Sequence, residues 1–307
     1  MVPTTPADAG QNRRKLNAAS VSIAANLALM AVKVAAALMS GSLAVLAEVF
    51  HSGLDLLASA FAYLGIHQAA KPYDEEHPYG HERFENLSSL VQTQLIAITS
   101  VLIMYKAVGR LRHPRPLDAT GLAFAIMGLT AVVDFLVAKY LHAVSDETES
   151  AALEADAYHF TTDLWCAAAV LAGLGAAAMG FPVFDSVAAI FVALIMLWLS
   201  GHLALKSINV MTDRGPSKEI VDSVGAIIGA TAGVTEFHKL RIRQAGNRLL
   251  ADLNIHVDPE ITVLEGHAIA HRAKSAIREK YPQFKDINIH VEPERTDALR
   301  VKKAKQQ

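Results

Sequence analysis

Val183–Leu205 reads VFDSVAAIFVALIMLWLSGHLAL. It is an apolar run long enough to cross a bilayer, whose hydrocarbon core takes roughly 20 residues of helix. Five upstream stretches have similar length and character: Leu16 to Ser40, Leu43 to Ile66, Leu87 to Gly109, Thr120 to Leu141 and Ala151 to Gly180. The links Ser40-Gly41-Ser42 and Gly180-Phe181-Pro182 are so short that the helices they join must form antiparallel hairpins. Of 307 residues, 52% are hydrophobic and only 19% charged. That balance is too apolar for a soluble protein of this size. The pattern predicts an all-α membrane bundle of six helices over residues 16–212.

The apolar runs end near Met211 and mixed, charge-rich sequence follows. There Pro216 to Ala230 reads as an amphipathic helix, Thr235 to Gln244 and Leu249 to Val257 as strands, Thr262 to Tyr281 as a helix and Ile287 to Glu292 as a last strand. This order predicts a small α+β domain over 213–296 with one sheet face covered. At about 80 residues it can fold alone and gains from association. Residues 1–15 and 297–307, the latter with Lys302, Lys303 and Lys305, read as solvated tails.

An even number of spans puts both termini on one side. Arg13-Arg14-Lys15 and the large C-terminal domain argue that this side is the cytoplasm. Arg110, Arg112 and Arg115 on the far side, and the acidic stretch Asp146 to Glu149 on the near side, run against that rule. Met1 to Gln11 is polar and no small-residue cleavage site follows the first run, so that run reads as a span rather than a signal peptide. A net charge of -2 without a long basic block argues against a nucleic-acid partner. With Cys166 the only cysteine, any metal must be held by His, Asp and Glu.

Charges within spans are costly and mark functional candidates. The second span contains Glu48-Val49-Phe50-His51-Ser52-Gly53-Leu54-Asp55, and the fifth contains Asp156-Ala157-Tyr158-His159-Phe160-Thr161-Thr162-Asp163. Each is an acidic residue, an aromatic, then His-x-x-x-Asp, and the i, i+4 spacing stacks His and Asp on one helical face. Both pairs lie roughly 12 and 18 Å into antiparallel spans, so all four groups meet near the midplane. Two imidazoles and two carboxylates match a tetrahedral zinc shell. A single such pair reads equally well as a tether between helices; two matched copies at matched depth favour a metal. Glu48 and Asp156 read as supporting or proton-handling groups or as plain interhelical partners. Asn26, Lys33, Gln92 and Gln94 read as lining of the polar interior, and Asp134 as a helix contact. Asp74-Glu75-Glu76-His77-Pro78-Tyr79-Gly80-His81 is either a second metal site or a solvated acidic loop. In the C-terminal domain His256 and His290 sit near strand ends, and His267 and His271 lie one turn apart on the helix between them. The domain also holds His238 and Glu292. Histidines scattered this way are usually plain surface residues, but convergence of His256, His267, His271 and His290 is geometrically reasonable.

These residues resemble the cation diffusion facilitator family of dimeric metal ion/proton antiporters. Its members have six membrane helices and a cytoplasmic metallochaperone-like, ferredoxin-like domain. The resemblance rests on the two His-x-x-x-Asp motifs, on His77-Pro78-Tyr79-Gly80-His81-Glu82-Arg83 and on Met211-Thr212-Asp213-Arg214. It implies a transport site of His51, Asp55, His159 and Asp163 between helices 2 and 5, with zinc favoured over manganese by the imidazoles. It implies a loop site at Asp74, His77 and His81, and zinc ions bound at a homodimer interface by His238, His256, His267, His290 and Glu292. His271 stands where a carboxylate is frequent. Arg83 and Asp213 match a charge pair that ties the dimer near the cytoplasmic surface. The expectation is a multi-pass transporter of the inner cell membrane, not an enzyme. It would export Zn²⁺ against protons, with Fe²⁺, Co²⁺ and Cd²⁺ left open as substrates, and would also hold Zn²⁺ as a structural or regulatory ion. The alternative is a membrane-bound metal sensor or receptor that binds the ion without carrying it.

Overall fold

The structure, a computed structural model, describes residues 6–40, 43–112, 121–178 and 183–294. Inside some helices only the backbone is described, and residues 43–51 are among these. The side chains of Glu48 and His51, together with Arg115 and the tail from 297, therefore lie outside the described residues.

Six long helices come first: α1 (Pro6–Ser40), α2 (Leu43–Ala69), α3 (Arg83–Arg112), α4 (Gly121–Thr148), α5 (Ala151–Ala178) and α6 (Val183–Met211). Hydropathy finds only the apolar part of each, so most helices run past their predicted ends. The chief gains are ten residues at the start of α1, seven at the end of α4 and six at the end of α6. Pro6 opens α1, where its missing N–H would have no intrahelical partner anyway. Among the described residues, Gly10–Ala35, Arg83–Arg112, Gly128–Thr148 and Ser186–Met211 are long and apolar enough to cross a membrane. The other two helices, α2 and α5, carry the His/Asp motifs.

Small residues let α1, α2, α4 and α5 pack closely. Ala18, Ala19, Ile66, Val137, Ala138, Leu141, Ala152, Leu153, Ala157 and Phe160 form one buried cluster. Helix α3 lies against α2 at Gly65, where an added Cβ would meet Ser88 Cβ at 2.3 Å. At the end of the bundle where α1, α3 and α5 begin, Lys15 Nζ meets Glu85 Oε1 at 2.7 Å and Ser150 donates to the other carboxylate oxygen. Both charged groups are buried.

The second unit contains α7 (Lys218–Gly229), β1 (Glu236–Ala245), β2 (Arg248–Val257), α8 (Val263–Lys280) and β3 (Phe284–Pro293). Strand β2 is central, antiparallel to β1 and parallel to β3, and α8 supplies the crossover. Alternation along β2 turns Leu249, Ala251, Leu253, Ile255 and Val257 toward Val224, Ile228, Ile269 and Ile277 of the helices. The other face takes the intervening residues. A capping box, Thr262 with Glu265, starts α8. Strand β1 carries a bulge between His238 and Arg241, with Lys239 at φ 56°.

Candidate metal centres

In the bundle, Asp55 of α2 comes beside His159 and Asp163 of α5. His159 Nε2 stands 3.3 Å from Asp55 Oδ1 and 3.6 Å from Asp163 Oδ2. One ligand atom from each of the three residues lies within 4.8 Å of the others. Asp55 and His159 are buried and Asp163 is partly so. The helices, not loops, fix this convergence, because one turn of α5 places His159 and Asp163 on the face packed against α2. Backbone placement alone puts His51 one turn before Asp55 on α2.

Beside the group lies a polar network that sequence reasoning resolved only in part. Ser59 donates to Asp156 Oδ1 at 2.9 Å, Ser22 donates to Ser59 at 2.6 Å, and Asn26 Nδ2 donates to Ser59 Oγ at 2.9 Å. Asp156 is thus a hydrogen-bonded interhelical partner one turn before His159. Lys33 Nζ donates to Ser52 Oγ at 2.8 Å. Gln92 Nε2 donates to Ser88 Oγ at 3.2 Å.

The loop between α2 and α3 folds over its own side chains. The His77 backbone N–H donates to Asp74 Oδ1 at 2.7 Å, and this bond holds the Asp74 carboxyl below the usual carboxylate range. Gly80, at φ 98°, makes the return that a side chain would strain. The His77 and His81 rings come to 4.4 Å, and Asp74 reaches them at 3.5 and 3.3 Å. The buried His81 Nδ1 has no hydrogen-bond partner, and the buried His77 Nδ1 makes no hydrogen bond and meets only the Asp74 oxygen at 3.5 Å. Imidazole nitrogens left this way suit a cation.

On the C-terminal sheet, His238, Asn254 and His290 are cross-strand partners, and His256 pairs with Glu292. All five side chains stand on the face that the helices leave uncovered. His238 Nε2 lies 3.0 Å from His256 Nε2 and 3.1 Å from Glu292 Oε2. His256 reaches the same oxygen at 3.2 Å. The His238 bond, followed by the Asn254 amide, holds the Glu292 carboxyl below the usual carboxylate range. His290, exposed on β3, reaches Glu292 Oε1 at 3.6 Å. Asn254 was missed from the sequence, although its position two residues before His256 on one strand put it on the same face.

One expectation needs correction. His267 and His271 do not join this group within a single chain: they pair with each other on exposed α8, rings 4.4 Å apart. Helix α8 packs on the opposite face, so the sheet lies between the two sets. Asp213 adopts φ 61° and accepts from Arg243 Nη1 at 3.4 Å, while Arg83 opens α3.

A family model described as the cation efflux transmembrane domain matches residues 19–212, and one described as the cation efflux protein cytoplasmic domain matches residues 216–294. The chain belongs to the cation efflux family. An uncharacterised transporter of Synechocystis is 30% identical over 85% of each chain. The magnetosome protein MamB of Magnetospirillum gryphiswaldense is 30% identical over 81% of this chain and 84% of its own. The cation-efflux pump FieF of Klebsiella pneumoniae is 26% identical over 83% of this chain and 85% of its own. A solved MamM CTD structure, 24% identical, covers 25% of this chain and 95% of its own with a TM-score of 0.25. Membership makes the protein a multi-pass membrane transporter of cations, with an α+β domain following its helices.

Proposed function

We propose that the protein is a homodimeric antiporter that exports Zn²⁺ from the cytoplasm across the inner membrane in exchange for protons, using His51, Asp55, His159 and Asp163 as the ion's ligands. The observation that carries this reading is the buried convergence of Asp55, His159 and Asp163 from two helices deep in the bundle. Mixed imidazole and carboxylate donors suit zinc and its borderline neighbours. Zinc needs neutral imidazole, so a proton and the metal compete for His159, and each binding event drives the other off. Binding between helices also fits transport by rocking of the bundle around a midplane site.

The loop group and the sheet group are read as further zinc sites, structural or regulatory in role. The sheet group is open on the face away from the helices, and His267 reaches a metal there only from a second copy of the chain. The exposed Val263 and Leu264 next to it support such a contact. Arg83 and Asp213 are read as charges that tie the dimer near the cytoplasmic surface.

The test uses sealed vesicles holding the purified protein, a zinc dye and a pH dye. Zinc entry accompanied by proton exit is expected. Zinc entry with a steady internal pH would overturn antiport, and bound zinc without any flux would leave a sensor.

A further inference from the structure

Asp134 of α4 reads, on sequence grounds, as a lone carboxylate that contacts a neighbouring helix. Its surroundings in the bundle add to that. The side chain is 2% exposed, and Oδ2 is buried with no hydrogen-bond partner. An oxygen left so costs about 1–3 kcal/mol or more, and folded proteins keep few of them without an ion, water or function to explain each. Asp134 continues the packed face of α4 that carries Val137, Ala138 and Leu141. Only residues 149–150 separate α4 from α5, so the two helices run antiparallel from that turn. At 1.5 Å per residue Asp134 stands about 21 Å from the turn and Asp163 about 18 Å. The two carboxylates therefore occupy nearly one level. The charged groups around Asp134 are Asp163, Lys33, Asp55 and His159. Asp134 is nevertheless outside the set whose ligand atoms lie within 4.8 Å of one another, and so is not placed to share one shell with all three.

We propose that Asp134 is a further cation-contacting carboxylate of the transport path. It receives a divalent cation from Asp163 at nearly the same level of the bundle. The ion keeps water on its remaining positions there. This step rests on reading Asp55, His159 and Asp163 as the transport site. Lys33, held by Ser52 and near enough to act on Asp134, keeps the second station weak, as passage requires of any intermediate stop.

The experiment compares zinc flux in proteoliposomes with equilibrium zinc binding by the full chain in detergent. His77→Ala and His238→Ala are present in every protein, so that the loop and sheet groups contribute less zinc. In Asp134→Asn maximal flux should fall about tenfold, with binding close to the parent's. Asp134→Glu, which keeps the charge one methylene further out, should fall between. Parent-like flux in Asp134→Asn would overturn the proposal, as would binding that falls in step with flux. If Asp134→Asn fails to assemble, parent-like flux in Asp134→Glu overturns it. Asp163→Ala should lose both binding and flux; if it keeps both, the reading of the three-residue group is what fails.

Discussion

Among the proposed ligands, His51 is the one whose donor type can be changed with the clearest consequence. Imidazole favours Zn²⁺ and Co²⁺, whereas carboxylate oxygen suits Mn²⁺. In His51→Asp the site gains an oxygen donor and a negative charge, so initial rates for Mn²⁺ relative to Zn²⁺ should rise in reconstituted vesicles. An active variant with an unchanged ion ranking would remove His51 from the ligands. Glu265 makes a different prediction. The Thr262 backbone N–H, then its hydroxyl, hold the Glu265 carboxyl below the usual range. A depressed carboxyl stabilises the fold fully above its ordinary value of about 4.3, and that contribution is lost as pH falls through the lower folded value. Hydrogen-exchange protection at the first turn of α8, taken relative to the intrinsic amide rate at each pH, should therefore fall only in acid, and Glu265→Ala should remove that pH dependence. The proposed transport residues were legible as candidates because His-x-x-x-Asp occurs twice at matched depth. The role proposed for Asp134 was not, since a single carboxylate in a span has no partner in the pattern.

At the level of helices, two contacts carry testable weight. Gly65 admits α3 so closely that Gly65→Ala forces Ser88 aside, although Ser88 Oγ donates to the Phe61 carbonyl at 2.6 Å. Overpacking of this kind costs about 1–3 kcal/mol. The melting temperature in detergent should fall, and adding Ser88→Gly should recover part of the loss. Full stability in Gly65→Ala would mean that the two helices separate freely. The Lys15–Glu85 pair predicts a cycle. Lys15→Met strands a buried carboxylate and should cost about 3–5 kcal/mol. Lys15→Met with Glu85→Leu should cost less than the sum of the two single changes. Simple additivity would show that the charges do not interact. Neither contact was readable beforehand, because hydropathy marks where a helix lies in the membrane but not which residues of distant helices touch. Helix and strand order was readable, since the hydrophobic period changes from long runs to alternation near Met211.

Across the whole molecule, the chain separates into a bundle and an α+β unit, each with its own core. Three groups that could hold a metal are present among the described residues, one in the bundle, one in the loop and one on the sheet. The sequence indicated which histidines to examine on the sheet but not how they divide, because strand alternation and the side chosen by α8 decide that. His238 and His256 share a face; His267 and His271 are behind it. The proposed function depends on the group in the bundle, and one comparison bears on it most directly. Initial zinc flux into sealed vesicles is measured for the unaltered protein and for Asp163→Ala, with equal amounts of folded protein confirmed by size-exclusion profile and melting temperature. Loss of flux with assembly intact is predicted, because a buried ion deprived of one of its two charged ligands loses both charge balance and geometry. Flux in Asp163→Ala near that of the unaltered protein would contradict the account, and the ion would have to cross elsewhere.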